Sequence, residues 1–107
     1  LIRFEVLSSS SNEVYVLEAT RAGDRVRFTC TCPAGEIGQV CKHRLSLLNG
    51  DITRLMSDTA EVERLRDLVR GSKVEKHFQE LENLKSELER LKRLEAAAKK
   101  ALAREMA

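Results

Sequence analysis

Tryptophan is absent from these 107 residues, proline occurs once, and aromatics make up only 4%. A core built with so few large rings is modest, and the composition leans helical. No run of 18 apolar residues occurs, so no segment is expected to span a membrane. The start shows no secretory signal pattern, and an intracellular, cytoplasmic chain is expected, with a nuclear or nucleoid location as the variant. It begins at Leu1 rather than Met, with Ile2 already in a strand pattern, which points to a trimmed start. The three cysteines are an odd number, which argues against a disulfide framework. A strong excess of one charge is also missing. The formal net charge of +2 is far from the basic footprint of a dedicated nucleic-acid binder.

What is present is a concentration of donors. Cys30-x-Cys32, eight residues, then Cys41-x-His43 places every cysteine and one of the two histidines within 14 residues. Three thiolates and an imidazole make a complete tetrahedral shell for one structural zinc ion, with no open position for chemistry. The spacing suits a reducing compartment. Three thiolates and one Zn²⁺ would bring the net charge to about +1, since thiol ligands must lose their protons.

The first third alternates as strands do: Ile2–Val6, in part Val14–Leu17, and Val26–Cys32. Ser8–Asn12 reads as a loop and Ala22-Gly23-Asp24 as a tight turn, so a short antiparallel meander is expected. Cys30 and Cys32, two apart on a strand, project from one face and reach a single ion. Cys41 and His43 would point about 200° apart inside a regular helix, so this pair must straddle a loop and a first helical turn. Pro33, Gly35 and Gly38 make 33–40 a loop that reverses the chain between the pairs.

Leu45, Leu47 and Leu48 suggest a short helix ended by Asn49-Gly50. Asp51 is a candidate cap for a further helical start with Ile52, Leu55 and Met56. Asp58-x-x-Glu61 resembles a capping box ahead of Val62, Leu65, Leu68 and Val69, and Gly71 stops that stretch. Ser72-x-x-Glu75 repeats the pattern and opens a helix over 73–105. Its apolar residues are Val74, Phe78, Leu81, Leu84, Leu88, Leu91, Leu94, Ala98 and Leu102, a mean spacing of 3.5, the coiled-coil repeat. Such a helix is roughly 50 Å long, whereas a 20-residue helical stretch covers about 30 Å. The seam is thus expected to outrun any cover from 51–70, and an intramolecular bundle, self-association and a heterologous helix all stay open. The fold class is α+β: a zinc finger over 1–50, a short helical region over 51–71, and a long helix over 72–107.

Arg25, Arg27, Lys42 and Arg44 lie near the donors and are candidate contacts to phosphates or to a partner. The plainer reading is a solvated strand face with cations that offset an anionic centre. Residues 1–50 hold six Lys and Arg against five Asp and Glu. His77 reads as a helix-surface residue, with replacement of His43 as ligand a remote option. The plainer reading of the donors themselves is buried free cysteines and a surface histidine. A Cys–His catalytic pair would need an orienting group and a pocket, neither of which is visible. The Ser8–Ser11 run reads as loop, and Lys92-Arg93 and Lys99-Lys100, interspersed with Glu, as a solvated helix face.

The pattern Cys30-x-Cys32 … Cys41-x-His43, with strands ahead of it and a helix after it, resembles the SWIM zinc finger. The resemblance covers roughly residues 13–50. It implies a zinc-dependent module that contacts DNA or other proteins and usually sits beside transposase, remodelling ATPase or ubiquitin-ligase-like regions, none of which is present in these residues. The long helix lies outside the family pattern. The expected function is a non-enzymatic, zinc-stabilised module for protein contact, with a helical arm for homodimerisation or partner docking. The alternative is a DNA-binding finger dimerised by that helix.

A structural zinc site contributes about 10–16 kcal/mol of apparent binding energy in small fingers, against about 5–15 kcal/mol for a whole domain's stability. Cys30→Ser or His43→Ala is therefore expected to abolish ordered strands in 1–50 while helix 73–105 persists. Hydrogen exchange checks this by separate loss of protection in the first region; concerted loss in both would contradict it.

Overall fold

The computed structural model describes residues 1–107 and has the expected α+β architecture. Three strands, β1 (Ile2–Leu7), β2 (Val14–Ala22) and β3 (Arg25–Cys30), form an antiparallel sheet in the order β1-β2-β3. Four helices follow: α1 (Pro33–Glu36), α2 (Lys42–Leu48), α3 (Ala60–Val69) and α4 (Lys73–Met106). By compactness the chain divides into Leu1–Lys76 and His77–Ala107. No helix is long and apolar enough to cross a membrane.

The register explains the first unit's core. Ile2 pairs with Ala19 and Phe4 with Leu17, and Leu17 and Ala19 pair in turn with Cys30 and Phe28. Period-two alternation sends all of these to one face, where Phe4 and Leu17 are fully buried. Phe4 and Phe28 meet with tilted rings 6.4 Å apart. Helix α3 closes this face: Val62, Leu65 and Val69, spaced three and four residues apart, are buried on it, together with Leu47 of α2. The face of α3 that could have covered a neighbouring helix is thus spent on the sheet. The outer face carries Arg3, Glu5, Glu18, Arg25 and Arg27, all at least partly exposed.

Two expectations are corrected. Residues 33–40 are not all loop, because 33–36 close one helical turn with the lone proline at its start, where a missing N–H costs nothing. Residues 51–57 are not helical. Asp51 Oδ1 accepts from Thr53 N (3.0 Å) and Thr53 Oγ1 (2.7 Å), a local turn that competes with helix formation. These bonds hold the Asp51 carboxyl below its ordinary pKa. The chain then runs along β1: Leu7 N donates to Arg54 O (2.9 Å) and Met56 N to Glu5 O (2.8 Å), with a Val6–Leu55 bridge. This segment covers the outer edge of the sheet.

The two capping motifs differ in outcome. Asp58 Oδ1 accepts from Ala60 N (2.9 Å), but Glu61 turns away to Arg64. At α4 the Ser72 hydroxyl accepts from Glu75 N (3.3 Å), while Glu75 Oε1 reaches back to Gly71 N (3.0 Å). Gly71 has φ +73°, the left-handed conformation that ends α3 cleanly. Arg21, unremarkable in sequence, donates from Nη1 to Leu68 O (2.8 Å) and Arg70 O (2.6 Å), satisfying carbonyls at the end of α3.

Leu65, 1% exposed, sits at the junction of α3 with the sheet. Leu65→Ala is expected to lower the stability of the first unit by about 2–5 kcal/mol, read from the midpoint of urea unfolding.

Candidate metal centre

Cys30 is the last residue of β3, and Thr31 continues the pairing by donating its N–H to Val16 O (3.1 Å). Cys32, expected on the strand two residues beyond Cys30, is instead the N-cap of α1, its Sγ accepting from Gly35 N (3.3 Å). Cys41 is the N-cap of α2, its Sγ accepting from Arg44 N (3.4 Å). His43 lies in the first turn of α2, so the second pair does straddle loop and helix. Two of the thiols thus take the place that serine or aspartate usually fills at a helix start.

The sequence-predicted donors converge. One ligand atom from each of Cys30, Cys32, Cys41 and His43 lies within 4.8 Å of the others, and all four residues are buried. Around a tetrahedral zinc-sized ion, sulfur–sulfur edges are about 3.8 Å, from metal–sulfur bonds of about 2.3 Å. Cys30 Sγ stands 3.9 Å from His43 Nδ1. The other ring nitrogen, Nε2, is buried without a hydrogen-bond partner; a metal held by one ring nitrogen leaves the other as an N–H donor, so only ligation through Nε2 would satisfy this atom. The tilted Tyr15 ring packs against the imidazole, 5.0 Å between centroids. His77, by contrast, faces Glu80 on α4 at 3.1 Å and belongs to no donor cluster.

Burial favours neutral forms at two of the donors. Burial, with the Cys32 and Cys41 sulfurs nearby, pushes the Cys30 thiol up to about 12. Burial also acts to raise Cys41, but the Arg44 N–H and guanidinium outweigh it and hold this thiol below its ordinary value. Burial and then the Lys42 charge lower the pKa of His43, favouring the neutral imidazole that metals bind. A divalent ion would stabilise all three thiolates at once.

Among the candidate contact residues, Arg25, Arg27 and Lys42 are exposed, and Lys42 Nζ donates to Ser9 Oγ. Arg44 is half-buried and fully engaged: Nε donates to Cys41 Sγ (3.2 Å), Nη1 to Phe28 O (3.1 Å) and Nη2 to Gln39 O. It ties the inter-ligand loop and β3 to α2. Its neighbours Gln39 and Phe28 are 5 and 16 residues away in sequence, which is why spacing suggested only a cation beside the site.

Two further features lie in the loop between the donor pairs. A Cβ on Gly35 would stand 2.2 Å from Cys30 O, so only glycine lets the α1 turn approach the strand that carries the first ligand. Ile37 and Val40 are about 70% exposed, two apolar surface residues in the loop between buried Cys32 and Cys41. Apolar residues in an otherwise small and polar loop were the available signal.

No protein-family model matches the chain, nor does any curated protein or solved structure to which it was compared. The chemistry rests on the four donors and their geometry.

Gly35→Ala leaves all ligands in place but drives a methyl into Cys30 O. Metal affinity, measured by competition with a chromogenic chelator, is expected to fall by at least about tenfold, as when supporting contacts of a metal site are lost. Gly38→Ala meets no neighbouring atom but strains a left-handed backbone at φ +76°, a cost of about 1 kcal/mol, and its metal affinity is expected to fall less.

Proposed function

We propose that residues 1–76 form a structural zinc finger of the SWIM type, and that the chain is a non-enzymatic module for protein contact. The observation that carries this reading is the enclosed Cys₃His set. Thiolate and imidazole donors together select zinc over oxygen-loving cations. Four protein ligands fill a tetrahedral shell, so the ion supplies rigidity rather than a site for substrate. The residues around it act accordingly. Arg44 offsets negative charge at Cys41, Tyr15 walls the imidazole, and the two short helices begin at ligand sulfurs.

Two surfaces support a contact role. One is Ile37 with Val40 in the loop between the donor pairs. The other is α4, where Leu84, Leu88, Leu91, Leu94 and Leu102 are each more than half exposed. Scattered exposed leucines are ordinary, but a sustained row at helical spacing marks an interaction face. We read α4 as the arm through which the chain self-associates or docks a partner helix.

A DNA-binding finger is the second reading, favoured by exposed Arg25 and Arg27 two residues apart on one face of β3. Glu18 and Glu5 share that face through the strand pairing, and Arg44 is already engaged, so the cationic surface is small.

Native mass spectrometry with and without chelator tests the first reading. One zinc ion per chain is expected, and its removal should erase amide protection in β1–β3. A folded protein without zinc would refute the finger. For the second reading, duplex DNA affinity that falls with salt and is lost in Arg25→Ala with Arg27→Ala is the expected signature; unchanged affinity in that variant removes the surface.

A further inference from the structure

The charges beside the leucine row of α4 say which way a second helix would lie. A strict seven-residue register through the helix places Leu81 and Leu88 at the first position of the repeat (a) and Leu84 and Leu91 at the fourth (d). Val74, Ala98 and Leu102 fall on the same seam, which His77 and Glu95 interrupt on either side of the two central heptads, while Phe78 and Leu94 flank it. Over the two central heptads the seam borders are then sorted by sign: position g, on one side, holds Glu80 and Glu87, with Lys73 before them and Leu94 after, and position e, on the other, holds Lys85 and Lys92, with Phe78 before them and Lys99 after.

Such sorting distinguishes two geometries. In a parallel pair in register, position g of one helix faces position e of its mate five residues later. Glu80 then meets the second copy's Lys85, and Glu87 meets the second copy's Lys92, with both contacts repeated by symmetry. In an antiparallel pair, g faces g and e faces e, so glutamates meet glutamates and lysines meet lysines. Within one chain these groups make only local pairs, Glu80–His77 at 3.1 Å, Glu82–Lys85 at 3.5 Å, Glu87–Arg90 at 3.0 Å and Glu95–Lys99 at 3.3 Å, which are weak and easily exchanged.

We infer that α4 pairs with α4 of a second copy of this chain, parallel and in register, with Leu81, Leu84, Leu88 and Leu91 as the seam and Glu80, Glu87, Lys85 and Lys92 as its orientation code. This rests on reading α4 as an assembly arm. It goes beyond that reading by choosing the occupant and its direction. The code is written in exposed charge, so salt weakens the discrimination.

The test uses the full zinc-loaded chain. Sedimentation equilibrium at low salt is expected to show a dimer. Glu80→Lys with Glu87→Lys makes both borders cationic, and dimer affinity is expected to fall by on the order of tenfold. Adding Lys85→Glu and Lys92→Glu to that variant reverses both borders and is expected to restore it. The decisive experiment mixes this fourfold variant with the original chain and counts species by native mass spectrometry. Parallel pairing places like charges across every mixed contact, so homodimers should predominate; antiparallel pairing would favour mixed dimers and overturn the proposal. A chain that stays monomeric at 100 μM, as roughly the weakest affinity a two-heptad seam of this kind should show, refutes self-pairing outright, and a trimer refutes the two-chain stoichiometry. The same spectra report zinc per chain, and circular dichroism reports helix content. A failed finger, a misfolded variant and a failed helix pairing are thereby told apart.

Discussion

Everything in the first unit is arranged around the cost of burying three sulfurs and an imidazole together. A Cys30 thiol pushed up to about 12 resists ionisation, and a buried ring nitrogen stands without a partner. A divalent cation would hold the sulfurs as thiolates where burial alone keeps them as neutral thiols. The sheet brings the first donor, two helix starts bring the next pair, and the first turn of α2 brings the imidazole. Because Leu47 of α2 also lies in the apolar core, the centre and the core are joined through one seven-residue helix. A loss at the centre therefore reaches the packing of α3 against the sheet.

The donor set was legible because its members are close in sequence and chemically rare. Paired donors on either side of a glycine-containing loop match the shell of one metal ion and little else. The meander was legible from alternation at Ile2–Val6 and Val26–Cys32, two residues past where the last strand ends, and α4 from 3.5-residue spacing without glycine or proline. What escaped is what depends on distant partners. Asp51 looked like a helix cap, and its side chain does cap something, but the bond closes a turn at Thr53 and the chain joins β1, 47 to 52 residues away. Arg44 looked like a surface cation and is instead a three-way tie. Gly35 looked like a loop breaker, whereas its role is a close approach to Cys30 O that no local pattern encodes.

The helical arm presents the opposite case. Nothing in α4 is buried, so tertiary packing adds little to what the heptad pattern states. Its helicity is supported by Ser72 and Glu75 at the start and by charge pairs such as Glu95–Lys99. The first unit has a structure because its donors and core close on each other. The second has a regular backbone and leaves its apolar side unspent.

The segment over 51–57 has an effect beyond its own packing. By hydrogen bonding to Glu5 and Leu7 it occupies one free margin of the sheet. The opposite margin is β3, six residues long and bearing Arg25 and Arg27. In registers centred on Val26, two copies approaching strand to strand through that margin would set Arg25 against Arg27, and charged edge residues disfavour such pairing. In concentrated solution the two margins of the sheet thus give a second sheet little to add to.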